Sequence, residues 1–383
     1  MGALGLGLSA RNQTRPVRAR TQADFLRRAY RLNGRWVNEA EFFQAGTVSG
    51  AGGSTRRGGR LTPADAPRVG DTGLLIEDPR TNWVTAYAAP VDLARVSLRI
   101  AGGSGPAALT LEEDGAALEA AGLDAITGGR AYKLDNRAGT TPARLQIQGA
   151  SPDDQPLALS AYVRGGAGRL RTAFTDLQTG GFTASEGYRR VTALQSDGLA
   201  AGARSTNDLL WVEAAPGEAV WVACPQLETG DWASSYIPTD GAAGVRTRDQ
   251  ISFPRAALGL NLDEGSLRVE LGEHRRGRVA ARIIGTDGPN GASLLNFVGN
   301  SDTQIGTYNG ESVLISYTTL DTVREPFVCM LSWGLHGQKL SVGDGVSSES
   351  SEPVAIFSRI YIAQNKDGDS GAFNMMVRNF DIK

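Results

Sequence analysis

The sequence predicts an all-β protein, with two antiparallel β-sandwiches behind an N-terminal arm that carries a short helix. Three observations lead there. Apolar residues alternate with polar ones in short runs, as Leu267, Val269 and Leu271 do against Arg268 and Glu270, which is the period of a half-buried strand. Turn clusters such as Pro216-Gly217 and Thr239-Asp240-Gly241 punctuate those runs, as hairpins require. The chain holds 49 glycines and only 7% aromatics, which suits many short strands better than packed helices. Its 383 residues leave room for two or three full cores.

Taken in order, residues 1–70 form the expected arm. Residues 1–21 show little periodicity and are expected to order only against a partner. Over 22–32 the spacing of Phe25, Leu26, Ala29, Tyr30 and Leu32 fits one helical face, with Thr21 as cap and Asn33-Gly34 as stop. Trp36, Phe42 and Phe43 follow, and one short helix has too little surface to bury them. They are expected to pack on another subunit or another protein, or to tuck under the adjacent β domain. Residues 45–70, rich in Gly, Ser and Arg, read as a linker.

From 71 to 249 the strand signals are dense. Val96, Leu98 and Ile100 alternate, as do Leu145 and Ile147, and Leu157, Leu159, Ala161 and Val163. Residues 111–125 are expected to hold strands and a turn at Asp114-Gly115, with a short helix as the alternative. Leu209 and Trp211, then Val220 and Val222, bracket Pro216-Gly217 like a hairpin, which places Trp211 and Trp221 in the core. Residues 250–383 form the second sandwich. Its strands are expected at 265–271, 280–284, 294–298, 313–317, 327–333, 339–342, 356–362 and 373–382.

Two stretches carry a resemblance. Gly73-Leu74-Leu75-Ile76-Glu77 with Arg80-Thr81-Asn82 opens the first sandwich, and Gln226-Leu227-Glu228 with Ser235-Tyr236-Ile237-Pro238-Thr239 and a trailing Arg closes it. In that order they resemble the signature of a carbohydrate-binding-module-like jelly roll found in fibre and spike proteins of tailed phages and gene transfer agents. Residues 250–383 resemble a laminin-G or concanavalin-like domain in strand order. The resemblance implies a particle-surface protein, made in a bacterial cytoplasm, that attaches to the host cell by multivalent binding of surface or capsular polysaccharide. It also implies a homo-oligomer, a trimer or a pentamer. A structural head or tail connector and a polysaccharide depolymerase are the alternatives.

Charge is uneven along the chain. Before Gly70, Arg11, Arg15, Arg18, Arg20, Arg27, Arg28, Arg31, Arg35, Arg56, Arg57, Arg60 and Arg68 face only Asp24, Glu39, Glu41 and Asp65, so the arm is expected to dock on something negative. Arg27, Arg28, Arg31, Trp36, Phe42 and Phe43 are the candidate anchors. This mixture of arginine and aromatics suits a capsid or tail protein better than a phosphate track, so no nucleic-acid partner is expected. Deleting residues 1–70 is expected to leave both β domains folded. No apolar run reaches membrane-spanning length, and the apolar start at 2–10 lacks the preceding basic segment of a secretory signal.

Catalytic chemistry finds little support. The only histidines, His274 and His336, read as a charged turn and a hairpin tip, without partners at metal-ligand spacing. No Gly-x-Ser-x-Gly elbow or phosphate loop occurs. Glu112-Glu113-Asp114, Asp153-Asp154 and Asp263-Glu264 fall at turns rather than facing one another, as hydrolysis of a glycoside requires. No enzyme activity and no cofactor are expected. Asp344 and the loop at 365–369 contain Ca²⁺-type ligands, but Asp-Gly turns account for them. The carbohydrate-binding candidates are Trp83, Tyr87, Tyr188 and Trp232, because aromatic rings stack on the C–H faces of sugars. Cys224 and Cys329 lie in apolar strand contexts and are expected to be buried free thiols.

Overall fold

The computed structural model describes residues 21–49, 53–54, 61–62, 65–100, 105–149, 156–172, 180–195, 210–230, 232–276, 282–288, 292–297, 304–308, 313–318, 327–343, 348–354, 356–362 and 373–383. Residues 1–20, Asp153-Asp154, Asp344 and the 365–369 loop lie outside them. The fold is all-β, built as two sandwiches of antiparallel sheets.

The larger sandwich draws on both ends of the described chain. One sheet runs Ser348–Ser350, Gly337–Val342, Phe327–Gly334, Gly265–Arg276, Phe373–Ile382, Thr21–Asp24, Ala29–Leu32 and Arg35–Val37, and Gly73–Ile76 also pairs with Phe373–Ile382. The facing sheet runs Val313–Thr318, Gln304–Tyr308, Ser293–Phe297, Arg282–Thr286, Arg359–Ile362, Gln250–Pro254 and Thr47–Ser49. Between them lie Leu267, Val269, Leu271, Cys329, Leu331, Ile360 and Phe380, each fully buried. Most strands expected after residue 250 are present within a few residues of the expected bounds. His274 is a correction: its backbone pairs with Met375 inside a strand and is no turn. His336 does sit in the turn between Phe327–Gly334 and Gly337–Val342.

The N-terminal residues overturn an expectation. Residues 22–32 form no helix but a strand, a turn and a strand, Thr21–Asp24 and Ala29–Leu32, paired at Ala23 with Tyr30. The Asp24 carboxylate accepts the Arg27 amide at 3.0 Å and closes the turn over 25–28, and Arg28 takes a left-handed backbone that a right-handed helix does not allow. The short helix is instead Glu39–Gln44, capped by Asn38, whose side chain accepts the Glu41 amide at 2.8 Å. Phe42 and Phe43 on that helix are not outward anchors. They bury with Phe25 and Tyr30 in the core of the larger sandwich, and Phe42 lies 5.2 Å from Phe253 ring to ring. The segment after the helix is also partly a strand, since Thr47–Ser49 pairs with Gln250–Pro254. Gly46 permits that approach, because a Cβ there would stand 2.4 Å from the Ser252 carbonyl oxygen.

The smaller sandwich is inserted into the larger one. The chain leaves the larger sheet after Ile76 and returns to the larger sandwich at Gln250. In between, one sheet is Val96–Ile100, Ala143–Ile147, Leu210–Ala214, Gly168–Thr172 and Gly180–Phe182. The other is Ala108–Glu113, Arg130–Asp135, Ala219–Thr229, Leu157–Gly165 and Ser185–Gln195. Leu134, Leu145, Ile147, Leu170, Leu210, Val212, Val220 and Val222 fill the space between. The stretch 111–125 is part strand, as expected, through Glu113, and then takes the helical alternative, with helices Gly115–Ala120 and Asp124–Thr127 in place of a second strand. Leu118, Leu123 and Ile126 from these turns pack with Ala131, Tyr162, Ala223 and Tyr236 on the outer side of the second sheet. Both cysteines are free and buried, and burial pushes their thiols well above the usual range.

Candidate functional site

The two signature stretches meet at the joint between the sandwiches, and they are consumed by structure. Glu77 is fully buried and accepts from Arg68 Nη1 at 2.6 Å, the Ser235 amide at 3.0 Å and the Ser235 hydroxyl at 2.5 Å, with Arg246 Nη1 at 3.0 Å. Arg68 also pairs with Asp249, whose carboxylate accepts the Glu77 amide at 2.9 Å. Three carboxylates (Glu77, Asp78 and Asp249) thus face three guanidiniums (Arg68, Arg246 and Arg248) where the chain crosses twice. A register shift near Cys224 keeps Leu227 inward and turns Gln226 and Glu228 outward, the usual consequence of a bulge. Gln226 then accepts the Ile237 amide at 2.6 Å and donates to the Ser235 carbonyl at 3.1 Å, and Glu228 accepts the Ser234 amide at 2.7 Å. Asn82 donates to the Ile237 carbonyl at 2.9 Å and accepts the Leu227 amide at 3.1 Å. The signature is a strap and its buckle.

Asp78 makes this joint sensitive to pH. Burial pushes its carboxyl up to about 7, against the pull of Arg248, Arg80 and Arg246. A carboxyl raised in the folded state binds a proton there that the unfolded chain has released. The stability linked to Asp78 is therefore greatest below the unfolded value near pH 4 and falls as pH rises toward 7. Asp78→Asn is expected to flatten that slope, by on the order of a few kcal/mol across the window. Urea midpoints measured at pH 4.5, 6 and 8 check it; an unchanged slope would assign the burden to another group.

The four sugar-binding candidates do not converge. Trp232 is 4% exposed and lies under the Arg80 guanidinium, 4.4 Å from ring centre to Cζ, so it belongs to the strap. Trp83 is half-buried against the core and its amide donates to the Leu227 carbonyl at 2.8 Å. Tyr87 is half-buried and packs on the turn at Gly241. Tyr188 sits on the outer side of the second sheet, where its hydroxyl donates to Asp114 at 2.6 Å. Of the anchor candidates, Arg27 and Arg28 are exposed and Arg31 stacks 5.8 Å over Trp36 on the strand Arg35–Val37. Trp36 is 63% exposed.

Two other tryptophans, expected in the core, point outward. Trp221 lies on the second sheet between Lys133 and Arg164, at 5.0 Å and 4.3 Å. Its cations are matched by acids: Lys133 pairs with Glu112 at 3.0 Å and Arg164 with Asp114 at 2.9 Å. Helices and the Tyr236 strap cover much of that side.

The outer face of the first sheet differs. Register places Ser97, Gln146, Trp211 and Arg171 in one row across four strands, and Arg99, Arg144, Glu213 and Arg169 in the next. Their neighbours along each strand point into the core, so these side chains share the outer face. Trp211 lies beneath two guanidiniums, Arg144 at 5.0 Å and Arg171 at 5.4 Å. Glu213 takes Arg144 Nε at 2.9 Å, Arg169 Nε at 2.5 Å and Arg171 Nη1 at 3.7 Å. Sequence reasoning proposed none of these as a binding residue: Ser97, Arg99 and Gln146 counted only as the polar half of an alternation, and Trp211 as core. The alternation in Arg169-Leu170-Arg171 and Leu210-Trp211-Val212-Glu213 was visible, but only strand register assembles them.

Among the described residues no group of three or more His, Cys, Asp or Glu is placed to hold a metal, and no helix is long and apolar enough to cross a membrane. No protein-family model matches the chain, and no curated protein matches it. Solved structures with partial likeness include Trypanosoma rangeli sialidase in complex with sialic acid, at 10% identity and a TM-score of 0.29 over 73% of this chain and 51% of that one. A mutant of the same sialidase displaying trans-sialidase activity reaches 0.28 at 12% identity, over 35% of this chain and 24% of that one. The binding domain of botulinum neurotoxin DC in complex with rat synaptotagmin II reaches 0.25 at 14%, over 35% and 36%. Likeness of this grade lends weight to no function.

Proposed function

We propose that the chain is a virion-type attachment protein, carried on the surface of a phage or gene transfer agent particle, that binds surface or capsular polysaccharide of the host cell. The observation that carries this reading is the outer face around Trp211: an arginine-rich, aromatic-backed patch on four adjacent strands against which, among the described residues, no helix packs. A sugar chain lying across it would meet guanidinium groups, that of the exposed Arg99 foremost, and the exposed Ser97 hydroxyl. Such a shallow site binds weakly by itself. Repeating it in a trimer or pentamer raises avidity by roughly 10²–10⁴-fold without new contacts. The N-terminal region, with Trp36, Arg27, Arg28 and Arg31 outward, is assigned to docking on a capsid or tail protein.

The proposed mode is binding without turnover. Glycoside hydrolysis needs two carboxyl groups facing across the bond, and Glu213 is the one carboxylate in these two rows, held by three arginines. The test is incubation of the full chain with purified host surface polysaccharide while new reducing ends are measured. Saturable binding with no release of ends is the expected result; release would make the chain a depolymerase, and absence of binding would favour a structural connector.

A further inference from the structure

We infer that the face around Trp211 takes a carboxylated saccharide, a uronic-acid-type residue of an acidic polysaccharide, rather than a neutral sugar. The inference rests on the proposal that this face binds polysaccharide, and it names the class. Charge is the first ground. Arg99, Arg144, Arg169 and Arg171 share the two rows with a single carboxylate, Glu213, among the described residues. The opposite outer face carries cations too, Lys133, Arg164 and Arg190, but there Lys133 and Arg164 each pair with an acid, Glu112 and Asp114, and Asp135 shares the face beside Lys133. The imbalance is local to one face.

Chemistry of the exposed surface is the second ground. The Trp211 indole is only 6% exposed, so a sugar ring has little access to it. What the face presents instead is guanidinium, which donates through a planar fork and accepts nothing. A neutral hydroxyl must both donate and accept, and gains half of what such a surface offers. A carboxylate accepts only, and its two oxygens match the fork. Glu213 already shows a carboxylate accepted on this face, since Arg144 Nε reaches one of its oxygens and Arg169 Nε the other.

The cluster is also held at a cost that an anion would relieve. Arg171 is mostly buried, and burial together with the neighbouring Arg144 guanidinium pulls it below the usual arginine range, an effect that Glu213 only partly offsets. Indole stacking keeps Arg144 and Arg171 in place, so little side-chain freedom remains to be lost on binding. The two rows span four strands, roughly 14 Å at the usual strand spacing. That accommodates a short oligosaccharide stretch, and it is too compact for the six to ten phosphate contacts of a typical nucleic-acid track.

The experiment measures equilibrium binding of the full chain to purified host surface polysaccharide, polygalacturonate, alginate and hyaluronate, each before and after carbodiimide–borohydride reduction of its carboxyl groups. Dextran and a single-stranded DNA homopolymer serve as neutral and phosphate probes. Binding to the host polysaccharide that weakens about tenfold or more on carboxyl reduction, and that weakens severalfold in Arg99→Gln, is expected. Arg99 is exposed, so that variant tests the face without endangering the fold. Equal binding to the reduced polymers overturns the inference and leaves the polysaccharide reading standing. Tighter binding to DNA overturns it in favour of phosphate recognition. No binding to any polymer overturns both.

Discussion

Arg68→Met is expected to lower the unfolding free energy by about 3–5 kcal/mol, the range for breaking a buried ion pair from one side. The Arg68 side chain is 1% exposed and that of its partner Glu77 is fully buried. Removing the guanidinium takes one charge partner from both Glu77 and Asp249, while Arg246 stays at 3.0 Å from Glu77. The double variant Arg68→Met/Glu77→Gln is expected to recover part of the loss, because the buried charge goes with its partner. Urea unfolding followed by tryptophan fluorescence measures both. If Arg68→Met alone changed the midpoint no more than a surface substitution does, the strap and its buckle would not be what joins the two sandwiches.

Phe42→Ala is expected to cost about 3–5 kcal/mol as well, from lost burial plus the cavity left among close-packed rings. Phe42 is fully buried, with Phe25 at 6.5 Å, Tyr30 at 5.2 Å, Phe43 at 5.4 Å and Phe253 at 5.2 Å by ring centre. Deleting the N-terminal residues goes further. Thr21–Asp24 covers one side of Phe373–Ile382, and Thr47–Ser49 covers Gln250–Pro254. Removing residues 1–70 exposes these edges and strips from Phe253 the rings that cover it, so the truncated chain is expected to aggregate rather than persist as two folded β domains. Soluble expression and a thermal melt decide it; a truncated chain that melts like the full one would return these residues to the role of a free arm.

Why the N-terminal hairpin was not readable is a matter of spacing. Phe25, Leu26, Ala29, Tyr30 and Leu32 fit a helical stripe, and they fit two short strands equally well when the turn falls at 25–28. What separates the two is the partner strand Phe373–Ile382, at the far end of the chain. A local signal for the true helix did exist: Asn38 with Glu41 three residues on, followed by two phenylalanines, which is a capping pattern. Strand periods after residue 250 were plain because Leu267, Val269 and Leu271 alternate cleanly and pack on one core. The signature stretches were equally plain, but Glu77 meets Arg246 and Ser235 only once the chain has gone round the whole inserted sandwich. Trp211 shows the general difficulty. Alternation says that Trp211 and Val212 face opposite ways; only the strands on either side say which of them faces the core.

The most direct measurement compares the affinity of two variants for purified host surface polysaccharide, Arg171→Gln and Arg164→Gln. Both guanidiniums stack on a tryptophan, Arg171 on Trp211 and Arg164 on Trp221, and both reach a carboxylate, on opposite outer faces of the same sandwich. Loss of one charge-assisted contact corresponds to about tenfold in the dissociation constant. Arg171→Gln is expected to weaken binding by about that factor, while Arg164→Gln leaves it unchanged. Unchanged affinity in Arg171→Gln, or a loss confined to Arg164→Gln, would contradict the assignment of polysaccharide binding to the Trp211 face.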